Sequence, residues 1–304
     1  VIEREYLEEF TEGGINIIVS SIYIDGEFLP ELALRKALDQ ISAFYSELEE
    51  SADKIIFVKN LTDIDKAIKE DKIGILLSFE GVEPLINDIN LLRIFYELGV
   101  RGVGLTWSRR NFAADGCSFS RVKGKENGLS EFGMQVVKEA QKLGMFIDVS
   151  HINDAGFWDV MEITTQPVIA SHSNCRALNG IMRNLTDDQI RALAKTGGVI
   201  GINAVSKIVA EHHADIKALA DHVDHLREVA GIEHIGLGFD LCDKIFARQH
   251  SGKDTKQVGT YDVIEGHKNI YQLTEELIKR GYTDDELRLI YGENFLRVYK
   301  NILK

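Results

Sequence analysis

From Met145 to His172 the chain reads MFIDVSHINDAGFWDVMEITTQPVIASH. Two short apolar runs, Met145 to His151 and Pro167 to His172, each end in a histidine, and the segment between them has the pattern of one helix. A strand, a helix and a second strand in that order form a parallel unit, which brings both imidazoles out at the same end of consecutive strands. A metal ion can sit between two such rings.

The same alternation runs outward in both directions. Apolar runs bounded by Gly, Pro and polar turns predict further strands at Ile15 to Ile24, Ile73 to Glu80, Val100 to Trp107, Gly198 to Ala204 and His234 to Asp240, seven in all with the two above. Between them lie helical patterns at Leu32 to Ser51, Leu91 to Leu98, Glu131 to Leu143, Ala155 to Ile163, Asp187 to Lys195 and Ile216 to Ala230. Thr186-Asp-Asp-Gln189 and Thr283-Asp-Asp-Glu286 read as capping boxes.

Nearly unbroken apolar strands alternating with helices predict an α/β fold with a parallel sheet covered by helices, either a barrel or a doubly wound sheet. The barrel is preferred because residues capable of chemistry recur at the C-terminal ends of several strands: Glu80, Trp107, His151, His172 and Asp240. In a (β/α)8 barrel those ends form one ring around the active-site mouth, whereas an open sheet spreads them along an edge. Residues 1–304 are therefore expected to form one catalytic domain. A closed barrel needs eight strands and seven are legible; a short polar helix, Glu3 to Glu12, precedes the first. The expectation is that a first strand before Val1 is missing from this chain, the alternative being a strand overlooked.

Composition narrows the function. The net charge of -13 argues against nucleic-acid and anionic-membrane partners, which call for clustered basic surface, and favours a small substrate. No apolar run approaches the length of a spanning helix. Cys117, Cys175 and Cys242 show no CxxC spacing and read as isolated thiols, consistent with a reducing cytoplasm.

A catalytic metal site of His and carboxylate needs ligands from different elements converging on one ion with a position left open for water. Glu80, His151 and His172 meet that topological requirement. A carboxylate directly after an apolar strand, as in Ser78-Phe-Glu80-Gly81, is costly unless paired or metal-bound. Asp240 ends the last strand and is suited to relay protons beside a metal-bound water, or else to cap a helix. Arg183, in the loop after His172, is suited to grip a substrate carboxylate, or else to form a surface ion pair. His212, His213, His222 and His225 crowd a polar stretch read as a surface helix, where residues two apart point to different sides, so His213-Ala-Asp215 and His222-Val-Asp224 cannot chelate one ion. His234, His250 and His267 are expected to face solvent. Gly236-Leu-Gly238 is too short for a dinucleotide fingerprint.

Taken together, Tyr6-Leu-Glu-Glu-Phe-Thr-Glu-Gly-Gly14, Ser78-Phe-Glu-Gly81, Asp148-Val-Ser-His151, Ala170-Ser-His-Ser173, Arg183-Asn184 and Gly292-Glu-Asn-Phe-Leu-Arg-Val298 resemble the membrane, or renal, dipeptidase family of binuclear zinc peptidases. The resemblance implies an amidohydrolase-type barrel with two zinc ions. It makes Glu80 the bridging carboxylate, His151 and His172 ligands of the second ion, Asp240 the acid/base residue, and Arg183 with Asn184 and Trp107 the substrate-binding set. Two departures stand out. The family's first ion also takes a His-x-Asp motif, which no residue here matches, so that first site is expected to be incomplete. Trp107 stands where the best-known animal enzymes place a histidine that stabilises the tetrahedral intermediate, which points to a shifted preference or another donor such as Arg109 or Arg110.

The function expected is a zinc-dependent dipeptidase acting on small dipeptides, with a homodimer admitted. The alternatives are an amidohydrolase for another small amide or N-acyl amino acid, and an inert barrel with a degenerate metal site.

Overall fold

A computed structural model describes residues 5–122, 124, 126–249 and 259–304. Its strands are β1 (Ile17–Ile22), β2 (Ile55–Phe57), β3 (Ile73–Glu80), β4 (Val100–Gly104), β5 (Phe146–Asp148), β6 (Val168–Ile169), β7 (Ile200–Ile202) and β8 (Ile235–Leu237). Each strand from β3 onward is reached through a helix that crosses back over the sheet, so every ladder between them is parallel. All seven expected strands are present. The eighth, β2, was not legible, and it pairs only with Ile73, Gly74 and Ile75, at the start of β3. The other half of that β3 edge pairs with β4.

The ladder runs β1-β3-β4-β5-β6, and a bridge from Ala170 to Ile200 carries it on to the β7-β8 pair. Among the described residues no ladder joins β8 to β1. The ring of strands is open there.

Alternation along β3 separates two layers. Ile75, Leu77 and Phe79 join the large apolar cluster formed with the surrounding helices. Leu76 points the other way and packs with Phe146, Ile169 and Val199, plugged by Val298, Tyr299 and Ile302 of the C-terminal helix Asn294–Ile302. The helices at Asp187–Lys195 and Asp284–Arg288 begin with the expected capping boxes on Thr186 and Thr283. Among the described residues, no helix is long and apolar enough to cross a membrane.

Apart from β3, which fills its run and keeps Glu80 on the ladder, the expected strands are shorter than their apolar runs. Each leaves the ladder before its chemical residue: His151, His172 and Asp240 lie three positions beyond the ends of β5, β6 and β8. In the neighbours β5 and β6, where Asp148 pairs with Ile169, the equal offset puts His151 and His172 at one level. The junction of β6, β7 and β8 is close-packed, with Gly201 N donating to Ala170 O at 2.8 Å and Gly238 N to Ile202 O at 3.2 Å. A Cβ on Gly238 would overlap the Ser171 carbonyl. Gly238→Ala should therefore destabilise the fold by about 1–3 kcal/mol, as overpacking against backbone does. Because Ser171 precedes His172, the same change should weaken metal uptake. Thermal melts and metal titration check both, and an unchanged melting temperature would refute this packing account.

Candidate metal centre

Glu80, His151 and His172 converge. The two Nε2 atoms are 2.8 Å apart, and Glu80 Oε1 lies 3.2 Å from that of His151 and 3.7 Å from that of His172. They form the sole group of three or more His, Cys, Asp or Glu side chains, among the described residues, whose ligand atoms lie close enough to share an ion. The outer nitrogens are held by hydroxyls: Nδ1 of His151 is 2.8 Å from Ser108 Oγ, and Nδ1 of His172 is 2.6 Å from Ser171 Oγ.

Two imidazole lone pairs cannot face each other at 2.8 Å without a positive charge between them, which a proton or a metal cation supplies. Two neutral imidazoles and a carboxylate are the donor set of a catalytic zinc site, so the residues present fit a divalent cation. Burial, with the charge of Arg183, pushes His151 down to about 3 and keeps it neutral. Burial acts on His172 in the same direction, but its hydrogen bond to Glu80 and the charge of Asp240 outweigh it and raise this imidazole. Burial alone would raise Glu80; hydrogen bonds from the two rings overcome that and hold its carboxyl well below the ordinary range.

His151 and Asp240 both have positive φ, 67° and 56°, which is uncommon for residues bearing a Cβ. His151 is fixed there by its own carbonyl, which accepts from Cys117 N at 2.7 Å. Asp240 Oδ2 accepts from Asn203 Nδ2 at 3.2 Å. The protein packed around Asp240 raises its carboxyl, the charge of Glu80 adds to that, and His172 and Arg183 pull it back. Its side chain is nonetheless open to solvent at the mouth, which limits the effect.

Arg183 is buried, 2% exposed. It donates to Ser173 Oγ at 2.9 Å and to the His172 carbonyl at 2.6 Å, while its Nε has no partner. Among the described residues no carboxylate lies within ion-pair distance of it, so the surface ion pair entertained for it is not formed. The Trp107 ring stands 5.8 Å from that of His151 and 5.5 Å from that of Tyr23.

Residues 5–304 match the profile of the membrane dipeptidase family. The chain belongs to this family. Dipeptidase verJ of Clonostachys rogersoniana is 29% identical to it over 306 residues, covering 97% of this chain and 75% of that protein. A metallopeptidase from Rhodobacter sphaeroides, solved with a phosphinate mimic of the dipeptide L-Ala-D-Ala, shares the fold at TM-score 0.86 and 23% identity, covering 97% of this chain and 89% of that one. An amidohydrolase from Pseudomonas aeruginosa shares it at TM-score 0.85 and 24% identity, covering 99% and 93%.

Within this dipeptidase scaffold some expected residues take other positions. Asn184 is fully buried, and its amide donates to the Asn179 and Ile208 carbonyls at 3.0 Å each, so it braces the loop that carries Arg183. Arg109 is occupied by Glu83 at 2.7 Å, Tyr23 Oη at 3.1 Å and the Ile24 carbonyl at 2.6 Å, and Arg110 by Asp115. Neither makes a hydrogen bond to the histidine pair. Sequence reading missed Asn203, Ser108 and the Asp148, Ser171 and Ser173 set. Asn203 directly follows β7, so its polar position at a strand end was the available signal.

The histidines outside the cluster also need correction. His212 and His213 lie in the turn before the helix Ile216–Ala230, and His225 bonds Asp187 at 2.8 Å. His234 Nδ1 lies 2.7 Å from the Gly198 carbonyl, and His267 packs against Phe10 with ring centroids 4.8 Å apart. His250 falls outside the described residues. His222 is buried rather than on a surface: Nδ1 accepts from Cys175 N at 3.2 Å and Nε2 donates to Val209 O at 2.8 Å.

A second proton on His222 would oppose the Cys175 N–H, and burial lowers its pKa to about 4. The unfolded chain binds that proton below its ordinary value of 6.5 and the fold does not, so this contribution to stability is lost as pH falls from about 6.5 to about 4. The loss should reach about 3 kcal/mol. Asp262, raised to about 7 chiefly by burial, acts with the opposite sign, so the comparison must isolate His222. Urea unfolding of wild type against His222→Gln does so: the gap should narrow on acidification, and parallel curves would refute this.

Proposed function

We propose that the chain is a zinc-dependent dipeptidase that hydrolyses the peptide bond of small dipeptides. The observation that carries this reading is the buried, carboxylate-free Arg183 beside the His151 and His172 pair. A guanidinium bonded to the main chain of a metal-ligand residue, with an N–H still free, is suited to receive the C-terminal carboxylate of a substrate whose reacting carbonyl lies over the histidines. Membership of the dipeptidase family supports this, as does the dipeptide mimic bound by the structural relative from Rhodobacter sphaeroides.

Glu80, His151 and His172 would hold the ion, which supplies a Lewis acid and an acidified water. The family is expected to use two ions; the described residues provide one group of three side chains whose ligand atoms lie close enough to share an ion. Asp240 would take the proton from the attacking water at its carboxylate, oriented by Asn203, and return it to the leaving amine. Solvent at the mouth and a raised carboxyl suit it to both transfers. Trp107 would close the His151 side of the site with an apolar ring, and its one N–H cannot act as an acid.

The zinc-loaded protein is tested on dipeptides, their C-terminal amides and N-acyl amino acids. Free dipeptides should be preferred over their amides by about 10- to 100-fold in kcat/KM, the worth of a hydrogen bond to a charged group. Arg183→Ala should erase that preference. Equal cleavage of acid and amide would overturn the role of Arg183, no turnover of any dipeptide would overturn the dipeptidase reading, and selective cleavage of N-acyl amino acids would replace it.

A further inference from the structure

A hydroxyl relay ties the metal-ligand histidine to a buried carboxylate that no part of the catalytic reading uses. Asp148, the last residue of β5, is 6% exposed. Its Oδ1 accepts from Ser150 N and Ser171 N, each at 2.9 Å, and its Oδ2 makes a very short contact with Ser171 Oγ. Ser171 Oγ also lies 2.6 Å from Nδ1 of His172. Among the described residues Asp148 forms no ion pair, so this buried charge is balanced by hydrogen bonds alone.

Proton counting fixes the direction of the chain. An ionised carboxylate only accepts, and a serine hydroxyl has one proton to give. In the contact between the two, the hydroxyl is the group with a proton to give, so Ser171 donates to Asp148. Ser171 Oγ can then only accept from the imidazole, and the proton on the His172 ring is placed at Nδ1. That leaves the Nε2 lone pair facing Glu80 and His151, the one form of the ring that can ligate from that atom. His151 differs: its Nδ1 meets Ser108, whose other neighbour is the weakly bonding Cys117 Sγ at 3.9 Å.

We propose that Asp148 is a positioning residue that sets the tautomer of His172 through the Ser171 hydroxyl, and so prepares one of the two imidazoles to take the metal. The same scaffold reaches the substrate side. Ser150 Oγ accepts from His172 N at 3.1 Å and lies 3.3 Å from Ser173 Oγ, which accepts from Arg183. Asp148, His172 and Arg183 thus rest on three interlinked serines. This inference depends on the assignment of His172 as a ligand, and its test separates the two.

Asp148→Asn is nearly isosteric and turns the relay round. If its oxygen keeps the two backbone N–H groups, the amide nitrogen donates to Ser171, and the hydroxyl proton is released toward His172 Nδ1. Nitrogen-15 NMR of labelled histidines in the metal-free protein, above the imidazole titration range, should show His172 as the Nδ1–H form in wild type and as Nε2–H in the variant, with His151 unchanged. Zinc affinity by chelator competition should fall by about 10- to 100-fold. Ser171→Ala should weaken zinc similarly, and Ser171→Thr, which restores the hydroxyl, should recover it. Should the asparagine variant fail to fold, the alanine and threonine pair decides. An unchanged tautomer, or wild-type zinc affinity in both Asp148→Asn and Ser171→Ala, overturns the relay. Absence of zinc binding by wild type overturns the ligand assignment instead, while the tautomer measured without metal still decides the relay.

Discussion

The architecture is organised around two imidazole nitrogens 2.8 Å apart with a carboxylate oxygen against both. Three electron-pair donors buried at such a separation are mutually repulsive unless a cation joins them. The neighbouring groups fall into place around that demand. Hydroxyls occupy the outer ring nitrogens, Glu80 supplies negative charge, and Arg183 is kept one residue's breadth away on serine and main chain. Its positive charge opposes protonation of the rings, helping burial to lower His151 and offsetting part of the rise at His172. His151 is thus kept neutral, with its Nε2 turned toward the place a cation would take.

Strand geometry makes the convergence possible. His151 and His172 sit the same distance beyond the ends of the neighbouring strands β5 and β6, and the register that pairs Asp148 with Ile169 turns that equality in sequence into equality of height. Leaving the ladder frees the backbone to aim the side chains inward, which is why His151 and Asp240 take positive φ. The glycines at the β7 and β8 tips serve the same end, because only a missing Cβ lets those strands approach the Ser171 carbonyl so closely.

This organisation was legible to the extent that it is written in local pattern. Every long apolar run formed a strand, and the helices Glu131–Leu143, Asp187–Lys195 and Ile216–Ala230 have the bounds their periodicity predicts. The segment Ile55–Phe57 is too short to rise above its surroundings, and its pairing depends on the start of β3, which is a tertiary fact. The strand tips were read as strand because apolar character continues past the last ladder bond. His222 and Asn184 were misplaced for one shared reason. A polar side chain whose partners are main-chain carbonyls and amides distant in sequence looks the same as an exposed one. The serine scaffold was hidden likewise: Asp148, Ser150, Ser171 and Ser173 stand inside the very motifs that mark the family, yet which hydroxyl faces which nitrogen is set only when β5 and β6 lie side by side.

Trp107 shows how the site's labour is divided. Its ring tilts 30° from that of His151 and is backed by Tyr23 and by the Arg109 guanidinium, 5.4 Å from the indole. Arg109 in turn is tied to Glu83 and to the Ile24 carbonyl, so the aromatic wall is pinned to the loops after β1 and β3. A wall so braced shields the histidine pair on one side with an indole, which cannot act as an acid. In the proposed reaction, proton traffic then falls to the opposite side, where Asp240 is held by Asn203 and meets solvent. Burial of a wall and exposure of an acid are opposite solutions to neighbouring problems: excluding water strengthens the field acting on the substrate carbonyl, while the residue that exchanges protons must keep a path to water.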